Sequence, residues 1–148
     1  STEKDYIPLS WINAINLSEQ VEGRIGDHVL VDKETLLKLD PDVIFIDGGG
    51  LALVEEDYSK KKDFYRALKA VKNQQVFMLL PFNWYTTNIE TAMADAYAIG
   101  RILYPDNFND IDPGKKADEI HAFMVGKPVY EDMQKDYGAI GVIAPFLN

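Results

Sequence analysis

The sequence predicts an α/β fold, a mostly parallel sheet carrying helices on its faces. Three observations lead there. The runs "DVIFI" (42–46) and "QVFMLL" (75–80) are short, apolar and rich in branched residues, as strands buried on both faces are. Helical patterns fill the chain between and after them, giving strand, helix, strand, helix. The 148 residues suffice for one domain with its own core. Residues 1–148 therefore read as a single α/β domain.

Each element has its own local reason. Residues 8–22, "PLSWINAINLSEQVE", read as a short helix and a turn. "HVLV" (28–31) reads as a short strand. Asp32 is a good N-cap for "KETLLKL", and Pro41 ends that helix at Asp40, because a proline pushes the preceding residue out of the helical region. Residues 55–72 carry Phe64, Tyr65, Leu68 and Val71 at helical spacing, which predicts one amphipathic helix. Thr87 and Glu90 match a capping box that opens the next helix. Its apolar face is Ile89, Ala92, Met93, Ala96, Ile99 and Leu103, and Pro105 closes it. Asp112 caps a further helix, with Pro113 at its first position and Gly126 beyond its end. A last short helix covers about 128–137 and stops at Gly138. The tail "AIGVIAPFLN" reads as a final short strand or an extended edge.

Composition narrows the function. The net charge is −9 and the isoelectric point near 4.6. Phosphate backbones need clustered Lys and Arg, so no nucleic-acid partner is expected. The one basic run, Lys60–Lys62, is flanked by acids and reads as a solvated helix face. Without Cys there are no disulfides, thiolate ligands or cysteine nucleophiles, and the compartment stays open. No apolar run approaches the ~20 residues that span a bilayer. No signal peptide is visible, and the chain reads as a piece of a longer one.

In open α/β sheets, ligands bind beyond the carboxyl ends of the strands. Two loops are expected on that edge. One is "DGGGL", with Gly48, Gly49 and Gly50. The other is "PFNWYTTN", with Phe82, Asn83, Trp84 and Tyr85. Glycines permit close backbone approach, yet "GGG" matches neither phosphate-loop spacing, so a plain turn and a ligand-facing loop remain the two readings. Trp and Tyr present broad, rigid surface with a polar handle, which suits either a bulky organic ligand or packing beneath a loop. No catalytic set emerges. His28 and His121 are far apart and read as surface or half-buried residues. Ser1, Ser10, Ser18 and Ser59 stand outside any G-x-S-x-G motif. Glu55–Glu56 and Glu131–Asp132 read as exposed helix charge, and Asp47 is the single acid expected in the cleft.

The block "EGRIGDHVLVDKETLLKLDPDVIFIDGGG" resembles the second lobe of the substrate-binding proteins of iron-complex and cobalamin ABC importers. The resemblance runs through Val31, Asp32, Glu34, Leu36, Leu37, Asp40, Pro41, Asp42, Val43 and Ile44. The blocks "PFNWYTTNIETAMADAYAIGRILYPDNFNDIDPGKKADEI" and "GKPVYEDM" are similar to the iron-compound subgroup of that family. The resemblance spans nearly the whole chain. It implies a three-layer α/β/α lobe with a mostly parallel, Rossmann-like central sheet, of the class III solute-binding type. It further implies that an amino-terminal lobe and a linking helix belong to the complete protein. Such proteins are non-enzymatic, need no cofactor, work as monomers and reside in the periplasm or outside the cell at the membrane. The ligand would be a ferric chelate of siderophore type, with cobalamin or heme as the alternative. The loops Gly48–Gly50 and Phe82–Tyr85 would face the cleft, and Glu34 would meet arginines of the permease, although an acid there also offsets the helix dipole. The family often sets Arg or Tyr against anionic chelates; Arg24, Arg66 and Arg101 lie outside both loops, which argues against a strongly anionic ligand held by this lobe. A doubly wound enzyme or regulatory domain, and an interaction domain using the aromatic loop as its hot spot, are the competing classes.

Overall fold

Branched and apolar residues at 44–47 and 76–79 form the two longest strands, and these lie side by side. The computed structural model describes residues 2–23 and 28–148, the Trp84 side chain excepted. Arg24 and Gly26, part of the glycine-bearing stretch of the resemblance, lie outside the described residues. In chain order the first elements are β1 (Thr2–Glu3), α1 (Ile7–Trp11) and β2 (His28–Val29). There follow α2 (Lys33–Leu39), β3 (Ile44–Asp47), a glycine turn of 3-10 type (Gly48–Gly50) and α3 (Leu51–Lys60). Next come α4 (Lys62–Ala67), α5 (Lys69–Lys72), β4 (Val76–Leu79), β5 (Asn83–Trp84) and β6 (Thr86–Thr87). The chain ends with α6 (Ile89–Leu103), α7 (Pro113–Val125) and α8 (Tyr130–Tyr137).

Strands β3 and β4 pair in parallel, from Ile44 opposite Val76 to Asp47 opposite Leu79. The tail runs antiparallel along the other side of β4. Met78 N–H donates to Val142 O, Gly141 N–H to Met78 O, and Ala144 N–H to Val76 O. Both faces of this small sheet are covered. Ile46, Val76 and Met78 pack with Leu68, Ala70, Val71 and Ala144, under residues of α2, α3 and α4. Leu79 and Leu80 pack with Ala94, Ala98 and Ile99 of α6 and with Ala117 and Ile120 of α7. The architecture is mixed α/β with a parallel pair at its centre. Among the described residues the parallel part is limited to that pair. The "HVLV" run joins neither strand: β2 pairs antiparallel with β1, and Leu30 stands 69% exposed.

Local chemistry explains where the elements start and stop. The Asp32 carboxylate accepts from Thr35 N–H at 2.7 Å, and that of Asp112 from Lys115 N–H at 3.0 Å, so both expected N-caps form. Gly126 ends α7 in the left-handed region at φ +85°, where no Cβ clash arises. Two expectations are corrected. The helix expected over 55–72 starts earlier and is broken twice, at Lys61 and at Leu68. Leu68 turns extended and becomes fully buried, and Asp40 Oδ1, brought from the end of α2, accepts from Lys69 N–H at 2.8 Å to start α5 afresh. The capping box at Thr87 does not form, because Thr87 is taken into β6. Asn88 is the N-cap of α6, and its own N–H donates to Phe82 O at 2.8 Å.

Candidate functional edge

The parallel register fixes the site. Because Asp47 lies opposite Leu79, both strands end on the same rim, and the glycine turn and the aromatic segment leave it together. Asp47 caps the turn, accepting from Gly49 N–H at 2.7 Å. Displaced hydration raises the Asp47 pKa, and the Gly49 N–H opposes that rise. A Cβ on Gly48 would lie 2.5 Å from Tyr137 O, 2.8 Å from Tyr137 Cβ and 3.2 Å from Leu79 O. Gly48 is thus a close-packing position against the end of α8. A Cβ on Gly49 would meet Asp47 Oδ1 at 3.1 Å and Pro81 Cβ at 3.8 Å, and one on Gly50 would meet nothing within 4 Å. Of the three, only Gly50 has open space on its Cβ side.

The aromatic segment divides in two. Phe82 does not face outward: it is 2% exposed and packs on Tyr6, with ring centroids 5.4 Å apart. It precedes the hairpin, at a position pulled into the core by its neighbours Leu79 and Leu80. Beyond it, β5 and β6 form a tight hairpin with Asn83 opposite Thr87 and Trp84 opposite Thr86. Tyr85 sits at the tip, 96% exposed, with φ +64°. A left-handed backbone on a bulky residue costs about 1 kcal/mol, and such strain gathers at functional sites. Asn83 Nδ2 donates to Glu3 Oε1 at 2.9 Å, joining the hairpin to β1. The Trp84 indole lies outside the described atoms. Glu34 is exposed in the first turn of α2.

A groove of about 430 Å³ runs along the hairpin, lined by Asn83, Tyr85, Thr86 and Thr87 on one side and Glu3, Asp5, Ile7 and His28 on the other. Sequence reasoning missed the second wall. Glu3 and Asp5 are distant in sequence from the hairpin and reach it through the pairing of β1 with β2. Among the described residues no three His, Asp or Glu side chains converge as a metal site.

Two buried polar groups were also missed. Asp95 is fully buried on α6, where its Oδ1 accepts from Leu80 N–H at 2.9 Å, and the Tyr6 hydroxyl lies 3.5 Å from its Oδ2. Burial pushes its carboxyl well above the ordinary range, and nearby Asp47 adds to the rise. Burial, followed by the charge of Asp95, likewise raises the Tyr6 phenol. A signal existed: positions 92, 95, 96 and 99 share one helix face, so Asp95 interrupts an apolar stripe. His121 is buried, contrary to a surface or half-buried reading. Its Nδ1 lies 2.7 Å from Ala117 O and must donate there, leaving Nε2 to face Thr91 Oγ1 at 3.2 Å. It ties α7 to the first turn of α6.

The sequence matches no protein-family profile, and no curated protein matches it.

Proposed function

We propose that this chain is the carboxyl-terminal lobe of a substrate-binding protein that captures a ferric chelate and delivers it to an ABC permease. One observation supports the reading above the rest: the glycine turn and the hairpin carrying exposed Tyr85 leave one rim of a parallel strand pair. That rim is where this fold class holds ligands. The finer fold reading, a three-layer Rossmann-like lobe, goes with it and is supported by cores on both faces of the pair. Exposed Tyr85 offers ring surface and a hydroxyl, and Asn83 offers an amide, to a bulky chelate. A facing lobe would exclude water from the second side of the ligand. Glu34, exposed at the start of α2, is the proposed permease contact.

Glu3 on the groove wall favours a neutral or cationic complex over an anionic one. The same observation supports a corrinoid as the second ligand reading, because a large macrocycle can bind through ring contact and few charges.

The test is a titration of the full-length protein with ferric hydroxamates, ferric catecholates, heme and cobalamin, followed by tryptophan emission. Tyr85→Ala should weaken binding of the preferred complex by about tenfold, the loss of ~1–2 kcal/mol for one aromatic contact, and leave the melting temperature nearly unchanged. Absence of binding to the entire panel, or binding indifferent to Tyr85→Ala, contradicts the reading.

A further inference from the structure

Asp95 has an environment that a charged group tolerates poorly. It is fully buried, and among the described residues it forms no ion pair. One strong hydrogen bond reaches it, from Leu80 N–H at 2.9 Å. The other neighbour, the Tyr6 hydroxyl at 3.5 Å, is too far for a strong bond between oxygens. A carboxylate so placed loses its hydration with little in return, whereas a carboxylic acid does not. Oδ1 accepts from the Leu80 N–H, and Oδ2 lies beside the Tyr6 hydroxyl, the one polar group of the amino-terminal segment that reaches it among the described residues. Among the described residues, no positive group acts on it. Tyr6 faces it from the amino-terminal segment, Asp47 acts from the end of β3, and the residues at helical spacing on α6 are Thr91, Ala92, Ala98 and Ile99.

Its position matters as much as its state. Leu80 is two residues before Phe82, whose carbonyl receives Asn88 N–H and closes the base of the hairpin. Phe82 rests on Tyr6, and Asn83 is bonded to Glu3 on the same amino-terminal segment. Asp95 therefore touches both sides of the joint, the end of β4 and the segment that grips the hairpin.

We propose that Asp95 is the positioning residue of the hairpin edge: an uncharged buried carboxyl group that fastens the end of β4 to the amino-terminal segment and releases that joint when it loses its proton. The inference concerns the joint alone and stands whether or not the edge takes a metal complex. Opening of the joint exposes Asp95 to water, where it ionises. In the open state its pKa returns to the ordinary value of about 3.9. Above that value the opening equilibrium grows about tenfold per pH unit, because opening releases one proton. Below it the opening equilibrium no longer depends on pH.

Amide hydrogen exchange reads this directly. Above the ordinary aspartate value, and for as long as Asp95 keeps its proton in the closed joint, exchange at the hydrogen-bonded amides of Leu80 and Asn88 should rise with the second power of hydroxide concentration. One power is the chemistry of exchange and the other the opening. Amides in the middle of α7 should rise with the first power only. In Asp95→Asn, whose amide oxygen can still accept from Leu80 N–H, the Leu80 and Asn88 amides should fall back to the first power while staying protected. A first-power rise at these amides in the unmodified chain overturns the proposal. So does a second-power rise shared by α7, which would signal global unfolding, or one that persists in Asp95→Asn. Should that variant not fold, the carboxyl carbon of Asp95 is followed by NMR in the unmodified chain. Titration in the ordinary aspartate range overturns the proposal, and titration above it, together with the second-power exchange, sustains it.

Discussion

Gly48 and Gly50 stand two positions apart in one turn and meet different demands. At Gly48 the nearest atoms to an added Cβ belong largely to backbone, at 2.5 Å and 3.2 Å, and backbone cannot move aside cheaply. At Gly50 the space is open. Gly48→Ala should therefore cost about 1–3 kcal/mol, the usual range for overpacking. Gly50→Ala should change stability by no more than about 0.5 kcal/mol. Urea unfolding of the two variants decides this, and equal losses would contradict the assigned roles. The three glycines were legible as a turn, but which one the fold requires was not, because that depends on Tyr137, far along the chain. The aromatic cluster has the same character. Three rings within four residues announced a special segment, yet the inward turn of Phe82 depends on Tyr6, which local pattern cannot reveal.

Among the elements, α2, α3 and α4 are joined through Asp57. Its carboxylate lies 2.8 Å from Lys33 Nζ and 2.7 Å from Lys61 Nζ, and accepts from the Tyr65 hydroxyl at 2.9 Å. Lys33 Nζ, shielded from water, also lies 5.1 Å from the centroid of the Phe64 ring. The short ion pair with Asp57 is off the axis of a hydrogen bond, so charge attraction is its main component. The cationic neighbours Lys33 and then Lys61 hold the Asp57 carboxyl well below the usual range. The folded chain thus binds this proton less readily than the unfolded chain. The stabilisation is complete above the ordinary aspartate value and fades as pH falls toward the depressed one. Asp57→Asn should be less stable than the unmodified chain at neutral pH, with the gap closing in acid and shrinking in salt, because the site is partly exposed. Thermal melts by circular dichroism across that range measure it, and a gap independent of pH would contradict the account. The caps at Asp32 and Asp112 were readable because they involve residues three apart. The breaks at Lys61 and Leu68 were not, since the Asp40 cap on α5 spans 29 residues of sequence. The capping-box pattern at Thr87 failed for a similar reason: the hairpin offered Thr87 a competing set of hydrogen bonds.

At the scale of the whole molecule, one parallel pair with a core on each face determines where a ligand can be met. That pair was legible from two apolar runs and the helices between them. The amino-terminal wall of the groove was not, because Thr2–Glu3 carry no strand signal of their own and their partner, the legible strand at His28–Val29, lies more than twenty residues away. The edge is acidic and ring-bearing, and its tip residue is held in a strained backbone conformation. The central claim is that this edge receives a bulky metal complex. Amide chemical-shift mapping tests it most directly, with a gallium(III) hydroxamate replacing the paramagnetic ferric one, because mapping detects even weak binding. Shifts confined to residues 48–50 and 83–87, with companions at Glu3 and Asp5, are the predicted result. Shifts centred on the separate apolar groove of Trp11, Met93 and Phe108, or none at millimolar ligand, would contradict it.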